Sequence, residues 1–182
     1  MSSYCQLAST DPLHKPYHDL EYGFPLSDDS ALFERFVLEI NQAGLSWATI
    51  LKKRPAFRQA YGEFDIDIVA AYDEVQKHRL LSDAGIVRHR LKVNAAIENA
   101  RRLLKIREEC GSFAGWLNYH HPRSQEEWVR LFKERFLFTG REIVNELLMS
   151  TGYLPGAHEE SCPIYKRVVA CHPPWMNSGW QA

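Results

Sequence analysis

Apolar residues along this chain recur at helical spacing. Leu32, Phe33, Phe36, Val37 and Ile40 follow a capping region at Ser27 and Asp28, which predicts an amphipathic helix with Glu39 beside its last apolar position. Gly44 breaks the chain, and Ser46 is placed to cap a second helix through Trp47, Ile50 and Leu51 toward Tyr61, kinked or split at Pro55. A short helix with Ile68, Val69 and Tyr72 is expected after Asp65, then a segment from Glu74 to Leu81 stopping near Gly85. Val93, Ile97, Ala100 and Leu104 mark a long helix from about Arg88 to Glu109, ending at Gly111 and basic on its opposite face. Trp128, Leu131 and Phe132 mark another after Ser124. Ile143, Val144, Leu147 and Leu148 mark one between Gly140 and Gly152. No convincing period-two alternation exceeds four residues, so the expectation is an all-helical domain with irregular termini. From Tyr153 onward the pattern fades into a proline- and glycine-containing tail, whose Trp175 and Trp180 suggest docking on the body or on a partner.

Composition narrows the class. A chain of 182 residues, 45% hydrophobic and 25% charged, is one ordinary globular domain able to bury its own core. Without an 18-residue apolar run or a secretory leader pattern, the expected setting is cytoplasmic, with no membrane partner. Four cysteines, Cys5, Cys110, Cys162 and Cys171, are too few and too scattered for a secreted disulfide framework. The net charge of −1 conceals an asymmetry: residues 52–107 hold 13 Lys and Arg against 7 Asp and Glu. Charge alone favours solvated helix faces there over a nucleic-acid surface.

Cysteine and histidine occur together near both ends, as Cys5 with His18 and as His158 with Cys162, the latter at a spacing that one turn or a compact loop can close on a single ion. Two Cys and two His complete a structural zinc set and leave no open position for a catalytic water. Isolated thiols with surface histidines remain the alternative. Cys171 with His172, and His120 with His121, are weaker pairs because adjacent side chains point apart.

Asp11-Pro12-Leu13, Tyr17-His18-Asp19, Glu21-Tyr22-Gly23, the run LEINQAGLSWATILKKR from Leu38 to Arg54 and DAGIVRHR from Asp83 to Arg90 together resemble the DNA-3-methyladenine glycosylase I family, from about Cys5 to Cys162. The resemblance implies a helix-hairpin-helix DNA glycosylase body, about residues 26–152, within a single domain over 1–182. A zinc-binding module from about 1–25 and 153–170 and an extended tail over 171–182 would complete it. It implies one structural Zn2+ held by Cys5, His18, His158 and Cys162, and a DNA-gripping hairpin over Arg135 to Val144 with contacts at Thr139, Gly140 and Arg141. Base contacts fall to Tyr17, Glu39 and Trp47, with Glu39 also the catalytic residue. A flipped base is read by stacking and edge hydrogen bonds, and an aromatic wall with a carboxylate favours a cationic base.

The implied function is hydrolytic excision of N3-methyladenine from alkylated double-stranded DNA, initiating base-excision repair, by a monomer. The alternative is a non-catalytic module that holds alkylated DNA or a free base; a zinc hydrolase is disfavoured by the closed ligand set. Glu159 and Glu160, beside the expected ligands, read as solvated carboxylates. The family commonly carries Gly-Trp after the first Cys, where this chain has Gln6 and Leu7, and Tyr22 stands where the family has a Trp. An aromatic wall is therefore expected to be missing at Leu7, with Trp175 or Trp180 as candidate replacements.

Overall fold

The structure, a computed structural model, describes residues 3–177, and every element among them is helical. In chain order these are α1 (Tyr4–Thr10), α2 (Lys15–Leu20), α3 (Asp29–Gln42), α4 (Trp47–Ala60), α5 (Ile66–Ala70), α6 (Glu74–Ser82), α7 (Arg90–Cys110), α8 (Phe113–His120), α9 (Gln125–Arg135), α10 (Arg141–Ser150) and α11 (Pro163–Ala170). Short 3-10 segments occupy Gly62–Phe64 and Pro174–Asn177. No helix among the described residues is long and apolar enough to cross a membrane.

The architecture is organised around α3. The Asp28 carboxylate starts this helix by accepting from Ala31 N–H at 2.8 Å. Every residue from Leu32 to Asn41 is then buried, because α4, α7, α8 and α10 pack around it. Such a helix tolerates polar side chains only where something satisfies them. Glu34 takes Arg54 and Arg58; Arg35 donates to Ser150 O and Glu21; Asn41 donates to Val37 O. Glu39 alone of these has no hydrogen bond or ion pair among the described residues.

Several expectations change. Pro55 neither ends nor splits α4; it sits on the exposed side of the helix, where the Leu51 carbonyl it leaves without a donor can be hydrated. Tyr72 lies beyond α5. The irregular termini are largely helical: α1, α2 and α11 are only seven, six and eight residues long, too short to persist alone, and they hold together by packing on one another and on the body. In α11, Pro163 occupies the first turn, while Ile164 and Val168 pack with Cys162 against Phe24 and Cys5. Helix α8 was not signalled by periodicity; its first N–H groups are held by Asp29, 84 residues earlier in sequence. Trp175 N–H donates to Gly152 O, which docks the tail on the end of α10; Trp180 lies outside the described residues.

Most cations of the basic segment are exposed, as expected of solvated helix faces, but several also bind backbone carbonyls. Lys53 donates to Ala84 O and Gly85 O, Arg79 to Ala60 O, Lys92 to Asn41 O and Ala43 O, Arg101 to Ala70 O and Tyr72 O, and Arg102 to Arg135 O. Each cation satisfies carbonyls left over where a helix ends. Lys52, Arg88 and Lys105 remain exposed and without partners among the described residues.

The connection between α9 and α10 is clamped from the core. Asn99, wholly buried on α7, accepts from Leu137 N–H at 2.8 Å and donates to Leu137 O at 3.0 Å, imitating a strand partner with one side chain. Asn99→Ala removes both bonds and leaves the Leu137 amide and carbonyl half-buried without partners. A loss of roughly 2 kcal/mol is expected in denaturant unfolding, with unchanged slope; a midpoint equal to wild type would show that the clamp adds nothing.

Candidate active site

Two clusters adjoin each other at one end of α3, and consecutive residues feed both. Tyr4, Tyr17, Tyr22, Glu39, Trp47 and Glu146 line a cavity of about 240 Å³, with Gln42 at its edge. Ser46 caps α4 and so sets Trp47 at its first turn, where the indole lies 5.0 Å from the Tyr17 ring. Tyr17 in turn is 5.7 Å from Tyr22, and Tyr22 is 5.1 Å from Tyr4 in an edge-on contact. The Tyr17 hydroxyl is buried with no hydrogen-bond partner among the described residues. The Arg35 guanidinium lies 4.7 Å from the centre of the Tyr17 ring.

Electrostatics here favour an incoming cation. Burial, then the neighbouring Glu146, push the Glu39 carboxyl up to about 8, with Arg35 opposing. Glu146 is raised as well, again chiefly by burial. Two carboxyl groups in one aromatic cavity cannot both ionise cheaply, and a positive charge between the walls reverses that cost. The phenols of Tyr4, Tyr17 and Tyr22 are all raised by burial and stay protonated.

The second cluster gathers Cys5, His18, His158 and Cys162, whose donor atoms all lie within 4.8 Å of one another. Cys5 Sγ is 3.7 Å from His158 Nδ1, and Cys162 Sγ is 3.8 Å from both His158 Nδ1 and His18 Nε2. Ligands at zinc's usual bond lengths in a tetrahedron stand about 3.6 Å apart, S to N. The other ring nitrogens are engaged: His18 Nδ1 faces Asp19 Oδ1 at 2.7 Å and His158 Nε2 faces Tyr22 O at 2.7 Å. These partners fix the tautomers that leave Nε2 of His18 and Nδ1 of His158 as lone-pair donors. Burial lowers the His158 pKa, favouring the neutral ring that a metal takes. Gly23 permits the close approach, since at φ +82° a Cβ there would lie 2.7 Å from Ala157 Cβ. Cys171 is exposed and, with His172, His120 and His121, stands outside the cluster.

Cavity and cluster share their scaffold. Tyr4 precedes Cys5, Tyr17 precedes His18, and the Tyr22 carbonyl holds His158. Whatever fixes the cluster therefore fixes three of the cavity's aromatic walls.

A groove continues from the cavity between the α3–α4 loop and the start of α10, lined by Glu39, Gly44, Leu45, Gly140, Arg141 and Glu146 among others. Gly140 begins α10 with no side-chain cap, which leaves the first N–H groups of the helix without a side-chain partner among the described residues. Thr139 is buried, and Arg141 donates to Gln125 Oε1. Leu45 projects from the opposite loop, 42% exposed.

Leu7 is exposed and takes no part in the cavity; Tyr4, one turn earlier on α1, supplies the wall instead. Trp175 is engaged at Gly152 and is not among the lining residues, so it does not replace that wall. Sequence reasoning missed Tyr4, Tyr22 as a lining residue, and Glu146. The one available signal for Tyr4 was its adjacency to a candidate metal ligand.

A model of methyladenine glycosylases matches residues 7–129, more than half of the chain. The chain belongs to the methyladenine glycosylase family. Among relatives, it is 46% identical over 113 residues to DNA-3-methyladenine glycosylase 1 of Escherichia coli K12 and 38% identical over 111 residues to DNA-3-methyladenine glycosylase of Haemophilus influenzae. These alignments cover 62% and 61% of this chain and span only 60% of the length of each relative. Solved structures of methyladenine glycosylases align further. The 3-methyladenine DNA glycosylase I of Staphylococcus aureus matches with a TM-score of 0.78 at 32% identity, over 88% of this chain and 95% of that one. A single-residue variant of 3-methyladenine DNA glycosylase I in complex with 3-methyladenine matches with a TM-score of 0.78 at 31% identity, over 90% and 97%.

Proposed function

We propose that this protein is a DNA repair glycosylase that flips N3-methyladenine out of alkylated duplex DNA and hydrolyses its bond to the sugar. The observation that carries the reading is Glu39: a buried carboxyl with no hydrogen-bond or ion-pair partner among the described residues, facing a cavity walled by Tyr4, Tyr17, Tyr22 and Trp47. Leaving such a group unpaired costs several kcal/mol, and a site that bears the cost is built for a complementary ligand. A base methylated at N3 is cationic while attached to the sugar. Aromatic faces and a carboxylate hold that cation in preference to neutral adenine, and Glu39 accepts from the base's exocyclic amine.

When the glycosidic bond breaks, its electron pair passes into the ring and neutralises it, so the leaving group needs little help. Water adds to the sugar carbon, and the product base no longer carries the charge that bound it. The segment 136–140 between α9 and α10 acts as the DNA-gripping hairpin, with the free N–H groups at the start of α10 receiving a phosphate. Leu45 is placed to fill the space vacated by the flipped base, as apolar wedges do. Cys5, His18, His158 and Cys162 suit one structural Zn2+ by donor type, by spacing and by fixed tautomer; the ion's part is to hold α1, α2 and the segment before α11 together. With Tyr4 as a wall, the absence of Trp at Leu7 no longer favours a binding-only module.

Titrating the protein with free bases while following tryptophan emission tests the cavity. Quenching by 3,9-dimethyladeninium, which keeps the positive charge of the methylated nucleotide, little by adenine at the same concentration, and none in Trp47→Phe is expected. Equal quenching by both bases would contradict the assignment.

A further inference from the structure

We propose that Glu146 is a second catalytic carboxylate, the base that takes the proton of the water attacking the sugar. The inference rests on the glycosylase reading. Glu146 lines both the aromatic cavity and the groove leading from it to the start of α10. It stands six residues after Gly140, about 9 Å along the helix axis. A nucleotide with its phosphate at the Gly140 end and its base in the aromatic cavity must pass its sugar beside this side chain. Glu39, on α3, lines the same cavity from another helix, so the two carboxyl groups divide between base and sugar.

The carboxylate is held for the task. The Tyr22 hydroxyl donates to Oε2 at 3.3 Å, while Oε1 has no partner among the described residues. Apart from Tyr22, the titratable groups that influence it are Glu39, which shares its cavity, and Glu142, one turn earlier on α10. No cation pairs with Glu146 among the described residues, so its negative charge is available to a sugar that becomes positive as the bond to the base lengthens.

The bond between C1′ and the base nitrogen breaks, its electron pair neutralising the cationic base. The water oxygen bonds to C1′, and one water proton passes to Glu146 and then to solvent. The products are neutral 3-methyladenine and an abasic deoxyribose.

Full-length wild type, Glu146→Gln and Glu146→Ala would be compared in single-turnover release of 3-methyladenine from N-methylated duplex. Affinity for a duplex carrying a tetrahydrofuran abasic analogue would be measured in parallel. The single-turnover rate should fall about 100-fold in the Gln variant, the scale of general-base catalysis, with affinity within twofold of wild type. Added formate should restore part of the Ala variant's rate, which it would not do for a residue that only supports the fold. A wild-type single-turnover rate in folded Glu146→Gln overturns the assignment, as does a loss confined to affinity. No release by wild type itself overturns the glycosylase reading and this assignment together.

Discussion

Glu39→Gln should lose activity and gain stability at once. The isosteric amide keeps the cavity's shape but cannot balance a cationic base, so release of 3-methyladenine is expected to fall by roughly 100- to 1000-fold, the range typical of a lost electrostatic contact to charge in the reacting group. Stability moves the other way in the ligand-free protein. In the folded state Glu39 titrates near 8, against 4.5 for an unperturbed glutamate. Between those values the folded protein retains a proton that the unfolded chain has lost, so wild-type stability declines as pH rises through that window. Below 4.5 both states are protonated and the contribution is fully present; above about 8 it is gone. Glutamine does not titrate. The variant should therefore match wild type near pH 5 and exceed it by a few kcal/mol, to order of magnitude, near pH 9. Thermal melting across that range checks it. Parallel curves for the two proteins would mean that Glu39 is not strained in the empty cavity.

The cluster of Cys5, His18, His158 and Cys162, as the proposed zinc site, carries the second large effect. Cys162→Ser removes one of four donors from the point where α1, α2 and the start of α11 meet. Metal analysis should find close to one zinc per wild-type chain and far less in the variant, with unfolding destabilised by several kcal/mol because ligation supplies part of the folding free energy. Base release should fall too, although Cys162 does not line the cavity, because Tyr4, Tyr17 and Tyr22 are each tied to a neighbouring ligand. Unchanged metal content in the variant would refute the ligand assignment. Metal loss with wild-type base release would separate the cluster from the cavity.

Legibility in the sequence followed the origin of each element's stability. Helices α3, α7 and α10 announce themselves because their apolar positions repeat over several turns and their ends carry Asp28, Gly111 and Gly152. Helices α1, α2, α8 and α11 do not, since each is held by partners distant in sequence: Asp29 for α8, and the Cys and His neighbours for the terminal three. Tyr17, Glu39 and Trp47 were reached through a family resemblance, and the fold does bring them to one cavity. Tyr4 escaped because only the folding of α1 against Tyr22 turns it inward. Glu146 escaped because a carboxylate flanking an apolar stripe looks like any solvated helix flank. The basic surplus is a related case: counting charges cannot distinguish Lys92, which is buried and caps carbonyls at the end of α3, from Arg88, which faces solvent.

The central claim is excision of a cationic methylated adenine, and the most direct measurement is chromatographic. Full-length, zinc-replete protein is incubated with duplex DNA treated with a radiolabelled methylating agent, and the released bases are resolved. Free 3-methyladenine is expected in the soluble fraction within minutes, with an abasic site left in the DNA and little 3-methyladenine from a parallel Glu39→Gln reaction. An intact, folded protein that releases no 3-methyladenine would contradict the claim.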